Sequence, residues 1–244
     1  PLVNRTETRE PPLNTDKRPD RLPAELPRDP MALADSWIKE AAELGIQRNA
    51  NAMTIVSVNE QGRPSARIVL CKAFVPDPGY LVFYTNYHSR KAKELAANGH
   101  AAALFHWDSL GRQIRIEGKI VRSPDDESDA YFATRHWGSQ LGAWGSDQST
   151  PIESRDALVQ QIQVRGQGLG LPSQSGTQEL TTNDTPKIDR PPHWGGFRLW
   201  ATAVELWVEG NDRIHDRGAW TRNIESRSEQ EFTLSDWTST RLQP

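Results

Sequence analysis

Cysteine is almost absent from this sequence: Cys71 stands alone among 244 residues. A single thiol cannot close an intrachain disulfide, which agrees with a reducing compartment and leads to the expectation of an intracellular, cytoplasmic protein. Cys71 lies inside the apolar run "RIVLCKAF", where a buried and unreactive role is expected. Long apolar runs are missing too. No stretch approaches the length that crosses a bilayer, and the opening "PLVNRTETREPPLNTDKRPD" lacks the apolar centre of a secretory signal, so no membrane association is expected. Nor is there an excess of one charge. The formal net charge is −3, which gives no reason to expect nucleic acid or an acidic membrane as partner, and any basic site has to be local. The six histidines fall in no metal-ligand spacing, so no metal is expected. There is no Walker A loop, no G-x-S-x-G elbow, and nothing beside Cys71 that would make it a thiolate.

What is present is enough for a real core: 36% of residues are apolar and nine are Trp. Residues 1–24 are rich in Pro, Arg, Asp and Thr without an apolar period and read as a flexible arm. "DPMALADSWIKEAAELGI" follows as a helix, with Asp29 as N-cap, Pro30 at the first helical position and Gly45 as the stop. From Ala52 the period becomes that of strands. "AMTIVSV" and "ARIVLCKAF" flank the turn "NEQGRP", and "GYLVFYTN", "HAAALFHW" and "RQIRIEGKIVRS" continue a meander. After a helical middle, "GGFRLWATAVELWVEG" and "RIHDRGAWTRN" return to strands. Many consecutive strands with few helices predict a mainly β, α+β fold built on an antiparallel barrel, since closure removes exposed edges. Residues 164–192 have no sustained period and read as a long loop. Their "GQGLG" is a poor dinucleotide fingerprint, because no strand precedes it and a proline follows.

Four local clusters could hold an anion. In "RIHDR", an extended backbone would put Arg213, His215 and Arg217 on one face, a repulsive arrangement that a bound anion would relieve. In "YTNYHSRKAKELAANG", Ser89 reads as an N-cap and Gly99 as a stop, which places Arg90 and Lys91 at the positive end of a helix dipole. Either a phosphate sits there or the two side chains are simply solvated. In "SPDDESDAYFATR", Tyr131 and Arg135 are four apart on a helix and either share a ligand or serve packing and a surface ion pair. In "RPSARIVLCK", strict alternation puts Arg67 and Lys72 on opposite faces, so they meet at one ligand only if the strand bends or ends between them.

These pieces, with "FYTNYHSRK", "RQIRIEG", "YFATR", "SQLGAW", "DQS", "WGGFR" and "ELWVEG", occur in an order and spacing that resembles the pyridoxine/pyridoxamine 5′-phosphate oxidase family. The resemblance runs from "LPRDP" to "RLQP" and implies a single FMN-binding split-barrel domain over 25–244, FMN as cofactor, and a homodimer with FMN at the subunit interface. It implies that Arg67, Lys72, Tyr84, Thr85, Ser89, Arg90 and Lys91 contact FMN, completed by Gln113, Gln148, Ser149, Trp207 and Arg217, some from the partner subunit. Lys72, Tyr131, Arg135 and Ser139 match residues that hold the substrate phosphate, and Arg213 and His215 match those over the pyridoxal ring. The implied reaction oxidises pyridoxamine or pyridoxine 5′-phosphate to pyridoxal 5′-phosphate, with O2 as acceptor and H2O2 released.

The chain departs from the family pattern at three places. "TREPPLN" in the arm has no tyrosine to close over the site, "HWG" follows Arg135 where Pro and a polar or basic residue are common, and the 164–192 segment replaces one that is usually shorter and more helical. Two other functions are compatible with the same framework. One is a split-barrel flavin oxidase of secondary metabolism, of the phenazine type, acting on another reduced ring compound. The other is a non-catalytic carrier of flavin or pyridoxal phosphate.

Overall fold

A computed structural model describes residues 21–169, 188–228 and 230–244. The first helix, α1 (Met31–Glu43), turns Met31, Ala34, Trp37 and Ala41 inward, the spacing of three and four that a helical stripe needs. It starts one residue later than expected. Pro30 flanks the helix, and the Asp29 carboxylate accepts the Met31 N–H at 2.7 Å, so the acid caps from one position further out. Arg112, buried under α1, holds it to the sheet by donating to Glu40 at 2.5 Å and lying over the Trp37 ring.

The strands follow the alternating pattern of the sequence. β1 (Ala52–Val58) and β2 (Pro64–Leu70) form a hairpin, and β3 (Ala73–Val75) and β4 (Tyr80–Asn86) form a second. Helix α2 (Arg90–Asn98) leads into β5 (His100–Trp107) and β6 (Arg112–Arg122). Three helices come next, α3 (Asp125–Ala133), α4 (Trp137–Gly145) and α5 (Arg155–Gly168). Then come β7 (Trp194–Val208), β8 (Asp216–Thr221), β9 (Ile224–Ser226), β10 (Phe232–Leu234) and β11 (Thr238–Leu242).

The main sheet runs β11-β8-β7-β6-β5-β1-β2, all antiparallel. The 15-residue β7 has two different neighbours on one edge: its first half pairs with β4 and its second with β8. This shared strand curls the sheet into a barrel that is split rather than closed, since no ladder joins β2 to β4 among the described residues. Ile55, Phe83, Phe105, Trp107, Ile114, Leu206 and Trp220 fill its interior, each burial stabilising by roughly 1.5–3 kcal/mol. A smaller core of Phe132, Leu141, Ile188 and Trp194 ties α3 and α4 to the start of β7.

Two boundaries differ from the sequence reading. Residues 21–24 are docked rather than free: Leu22 is buried, its N–H donates to Asp216 at 2.8 Å, and Arg241 donates to the Pro23 carbonyl at 2.5 Å. Residues 1–20, with "TREPPLN", lie outside the described residues. The segment read as a loop from 164 begins as helix, because α5 continues to Gly168, with Ile162 and Gly166 packed against Gly145 and Leu141. "GQG" thus ends a helix; 170–187 lie outside the described residues.

Candidate functional site

Strand β2 stops at Leu70, and Cys71 and Lys72 bridge it to β3. The Cys71 N–H still donates to Asn51, in the β1–β2 register, at 2.9 Å, but the Lys72 N–H crosses to the Val82 carbonyl of β4, at 2.8 Å. The strand end supplies the break in alternation that a shared ligand requires. Arg67 and Lys72 line one cavity of about 650 Å3, together with Tyr84, Thr85, Lys91, Tyr131, Arg135, Ser139 and Gln148. Nine candidate residues from five separate stretches of sequence therefore converge. Burial pushes the Cys71 thiol up to about 12, so beside this cavity it stays protonated and inert.

The lining holds four cations, Arg67, Lys72, Lys91 and Arg135, and no carboxylate. Lys91 donates to Thr85 Oγ1 at 3.0 Å and Gln148 Oε1 at 2.8 Å. Burial, and then the Arg67 charge, pull its pKa down to about 8. Arg67 is braced from behind: it donates to Ser57 Oγ at 2.6 Å and Ser65 Oγ at 2.5 Å, and its second nitrogen lies 3.3 Å from Glu94. Glu94, missed in the sequence, is buried on α2 and also accepts from Arg90 at 2.8 Å. Its signal was there, since Arg90 and Glu94 are four apart on a helix. Burial alone would raise the Glu94 carboxyl, but hydrogen bonds from Ser57, Ser65 and Arg90 and the Arg90 charge outweigh it and hold it at about 2.

On another wall Tyr84 stacks on Tyr131, with ring centroids 4.0 Å apart, and on Trp194 at 5.4 Å. Burial, reinforced by Glu127 and Tyr131, pushes the Tyr84 hydroxyl up, so it remains a neutral donor. Lys72 lies 5.9 Å from the Tyr131 ring, and Arg135 lies 4.6 Å from the Trp194 ring. Arg135 is one residue past the flank of α3, not on its face as the spacing predicted, yet the turn still delivers it beside Tyr131. Its Nη1 is buried without a hydrogen-bond partner. Trp194 and His136 also line the cavity; neither was a named site candidate, although His136 opens the "HWG" that departs from the family pattern and Trp194 opens "WGGFR".

Three candidates stand outside this cavity. Ser89 is buried and spends its hydroxyl on the Ala92 N–H at 3.3 Å as the N-cap of α2, as expected. Arg90, expected beside Lys91, is exposed and paired with Glu94, and it borders a neighbouring cleft with Gln148 and Ser149. Ser149 holds φ +72, a left-handed conformation that costs a non-glycine residue roughly 1 kcal/mol or more.

The remaining candidates form a second group at the far end of the sheet. Gln113, Trp207 and Arg217 are register partners across β6, β7 and β8, so their side chains share one face. Glu205, two residues before Trp207 and hence on that face, accepts from Arg217 at 2.8 Å and lies 2.8 Å from Arg115. That hydrogen bond is the main reason the Arg217 pKa is raised. "RIHDR" is not an extended run with three cations in line. Asn211–Arg213 is a 3-10 turn in which Asp212 and Arg213 have φ +52 and +63, and β8 begins only at Asp216. Gly210 makes this turn possible, because a Cβ there would lie 1.8 Å from the Ile214 carbonyl. Arg213 is exposed, and His215 accepts the Gly210 N–H at 3.1 Å with its ring 4.5 Å from that of Trp207. Repulsion is relieved by the turn and by Glu205 instead of by an anion alone.

Two family models cover the chain: pyridoxamine 5′-phosphate oxidase over residues 38–166, and the C-terminal dimerisation region of pyridoxine 5′-phosphate oxidase over 194–244. Pyridoxine/pyridoxamine 5′-phosphate oxidase of Paraburkholderia phytofirmans is 44% identical over 91% of this chain and 92% of its own length. That of Roseobacter denitrificans is 42% identical over 88% and 94%. Among solved structures, PhzG from Burkholderia lata in complex with tetrahydrophenazine-1-carboxylic acid superposes with a TM-score of 0.71 at 26% identity, covering 89% of this chain and 94% of its own. A pyridoxamine 5′-phosphate oxidase-related, FMN binding protein from Nostoc punctiforme shares the fold, with a TM-score of 0.61 at 18% identity over 87% and 96%. No helix among the described residues is long and apolar enough to cross a membrane. The chain belongs to the pyridoxamine 5′-phosphate oxidase family, oxidoreductases that carry FMN on a split barrel.

Proposed function

We propose that this protein oxidises pyridoxamine 5′-phosphate and pyridoxine 5′-phosphate to pyridoxal 5′-phosphate, as a cytoplasmic homodimer. The observation that carries this reading is the carboxylate-free cavity in which two cationic groupings meet, Arg67 with Lys91 and Lys72 with Arg135. Two anions with phosphate-like acceptors suit it better than one. Arg67, Thr85, Lys91 and Gln148 would hold the phosphate end of FMN, with Lys91 serving as a partly neutral cation that an incoming phosphate recharges. Lys72, Tyr131, Arg135 and Ser139 would hold the substrate phosphate, with the buried Arg135 Nη1 as the donor awaiting it.

When bound, FMN supplies the two-electron redox chemistry, and O2 leaves as H2O2. The chain's own work is to orient and to exclude water. Gln113, Trp207 and Arg217 would complete the flavin site, some of them from the partner subunit, and Arg213 and His215 would lie over the substrate ring. The amine substrate yields an imine that water hydrolyses to the aldehyde and ammonia, and the alcohol yields the aldehyde directly.

A second reading has one observation behind it, the likeness to PhzG, whose ligand in that structure is a carboxylic acid and not a phosphate ester. Lys72, Tyr131, Arg135 and Ser139 together favour a phosphorylated substrate over that alternative. The deciding experiment is oxygen-dependent turnover of pyridoxamine 5′-phosphate by FMN-loaded protein, with pyridoxal phosphate and peroxide followed together. Equal formation of both is expected. Bound flavin without turnover would transfer the assignment to a different reduced ring compound, or to a carrier if no such compound is oxidised.

A further inference from the structure

We infer that His136 donates to the substrate phosphate and sharpens discrimination between phosphorylated and unphosphorylated substrates, an inference that rests on the function proposed above. His136 flanks α4 instead of belonging to it, with φ −54 and ψ 136. Its Nδ1 accepts the Gly138 N–H at 3.2 Å and so caps the helix. A ring nitrogen that accepts carries no proton, so the neutral imidazole holds its proton on Nε2. The helix thereby fixes the tautomer. No hydrogen bond from Nε2 to any described residue is formed, and the ring borders the cavity that Lys72, Arg135 and Ser139 share. Arg135, the preceding residue, also has an unspent donor in its buried Nη1.

Arg135 and His136 border both this carboxylate-free cavity and a neighbouring one that holds Asp129 and Asp189, and only the first leaves the His136 Nε2 proton for an anion without a competing carboxylate. A phosphate monoester has enough acceptor oxygens to take both donors, whereas an uncharged hydroxymethyl group has one. The neighbouring Trp137 packs against the small core around Phe132 and Leu141 and does not line this cavity.

The test uses FMN-loaded protein and separates capping from donation. His136→Ser keeps a helix-capping oxygen but is too short to reach the ligand. Expected results are a roughly tenfold rise in KM for pyridoxine 5′-phosphate with kcat unchanged, and an equal weakening of pyridoxal phosphate measured by equilibrium binding. Affinity for unphosphorylated pyridoxal should not move. His136→Asp also caps but adds negative charge, and should weaken pyridoxal phosphate roughly 100-fold. Normal turnover by the wild type together with unchanged KM and pyridoxal phosphate affinity in His136→Ser overturns the inference and leaves the proposed function standing. Equal losses for pyridoxal and its phosphate overturn it as well, since the effect would then be on the fold of the site. If the wild type neither turns over the phosphorylated substrates nor binds pyridoxal phosphate, both readings fall.

Discussion

The cavity beside β2 and β4 and the outer row on β6, β7 and β8 are both rich in arginine, yet they treat charge in opposite ways. In the row, Arg217 is already satisfied: Glu205 takes its Nε and the Gln243 carbonyl its Nη1, both within 2.9 Å. Its pKa rises as a result. In the cavity, Lys91 has only neutral oxygens around it and Arg135 keeps an unpaired buried nitrogen, and burial lowers the pKa of both. A cation whose charge the protein answers is a structural or orienting group. A cation left unanswered under partial burial is a receptor for an anion. Counting arginines would have ranked the two regions alike.

The strongest way to break that contrast is to truncate one residue from each. Arg135→Ala removes charge-assisted hydrogen bonds to a ligand, and KM for pyridoxine 5′-phosphate should rise on the order of 100-fold with kcat nearly unchanged. Arg213→Ala, in the second region, should lower kcat by roughly tenfold and raise KM less, because an orienting contact matters most as the reacting atoms align. Steady-state kinetics under saturating FMN distinguish them. A kcat loss in Arg135→Ala with none in Arg213→Ala would reverse the roles assigned to the two regions.

The same contrast explains what could be read in advance. Local rules sufficed for Ser89 and Gly99 at the ends of α2 and for the alternation of β6, because a helix cap and a pleat are set by neighbours in sequence. They failed at "RIHDR", where alternation assumed an extended chain and Gly210 permits a tight left-handed turn instead. For Arg90 they left a phosphate contact and a solvated side chain both open, and the partner Glu94 was overlooked. The meeting of Arg67 with Lys91, or of Gln113 with Trp207 and Arg217, depends on strand register between distant segments, which no local spacing encodes. Those residues came from family resemblance. The geometry now gives a physical reason for grouping them.

An intermediate effect should appear in the pH dependence of FMN binding. Lys91 has a folded pKa of about 8, below the ordinary lysine value, so the empty site loses this cation as pH rises through 8. A dianionic phosphate favours the charged form, and its binding takes up a proton. Affinity for FMN should therefore fall with rising pH above 8, by up to about tenfold per pH unit, until the pKa of the loaded site is reached. Flavin fluorescence quenching from pH 7 to 9.5 measures it. Lys91→Met should bind FMN more weakly at pH 7 and lose this slope. A slope that persists in the variant would mean that another group answers the phosphate and that Lys91 is better neutralised than its surroundings indicate.

The smallest effect expected concerns the carboxylate behind the cavity. Glu94 braces Arg67 of the first region from behind, and its folded pKa of about 2 lies below the ordinary 4.5. A depressed carboxyl stabilises the fold fully above its unfolded pKa and loses that contribution as pH falls from about 4.5 toward 2. Glu94→Gln abolishes the charge while keeping the size. At pH 7 it should lower the melting temperature by roughly 5 °C, since Arg67 and Arg90 lose their shared partner. On acidification the gap to the wild type should narrow, because below about 4.5 the unfolded wild type takes up a proton while folded Glu94 stays ionised until about 2. Thermal melts of FMN-free protein at pH 7, 4.5 and 3 provide the comparison. A constant gap across that range would show that the hydroxyls of Ser57 and Ser65, not the charge, account for the stabilisation, and the first region would then lack the internal counterion that distinguishes Arg67 from Lys91.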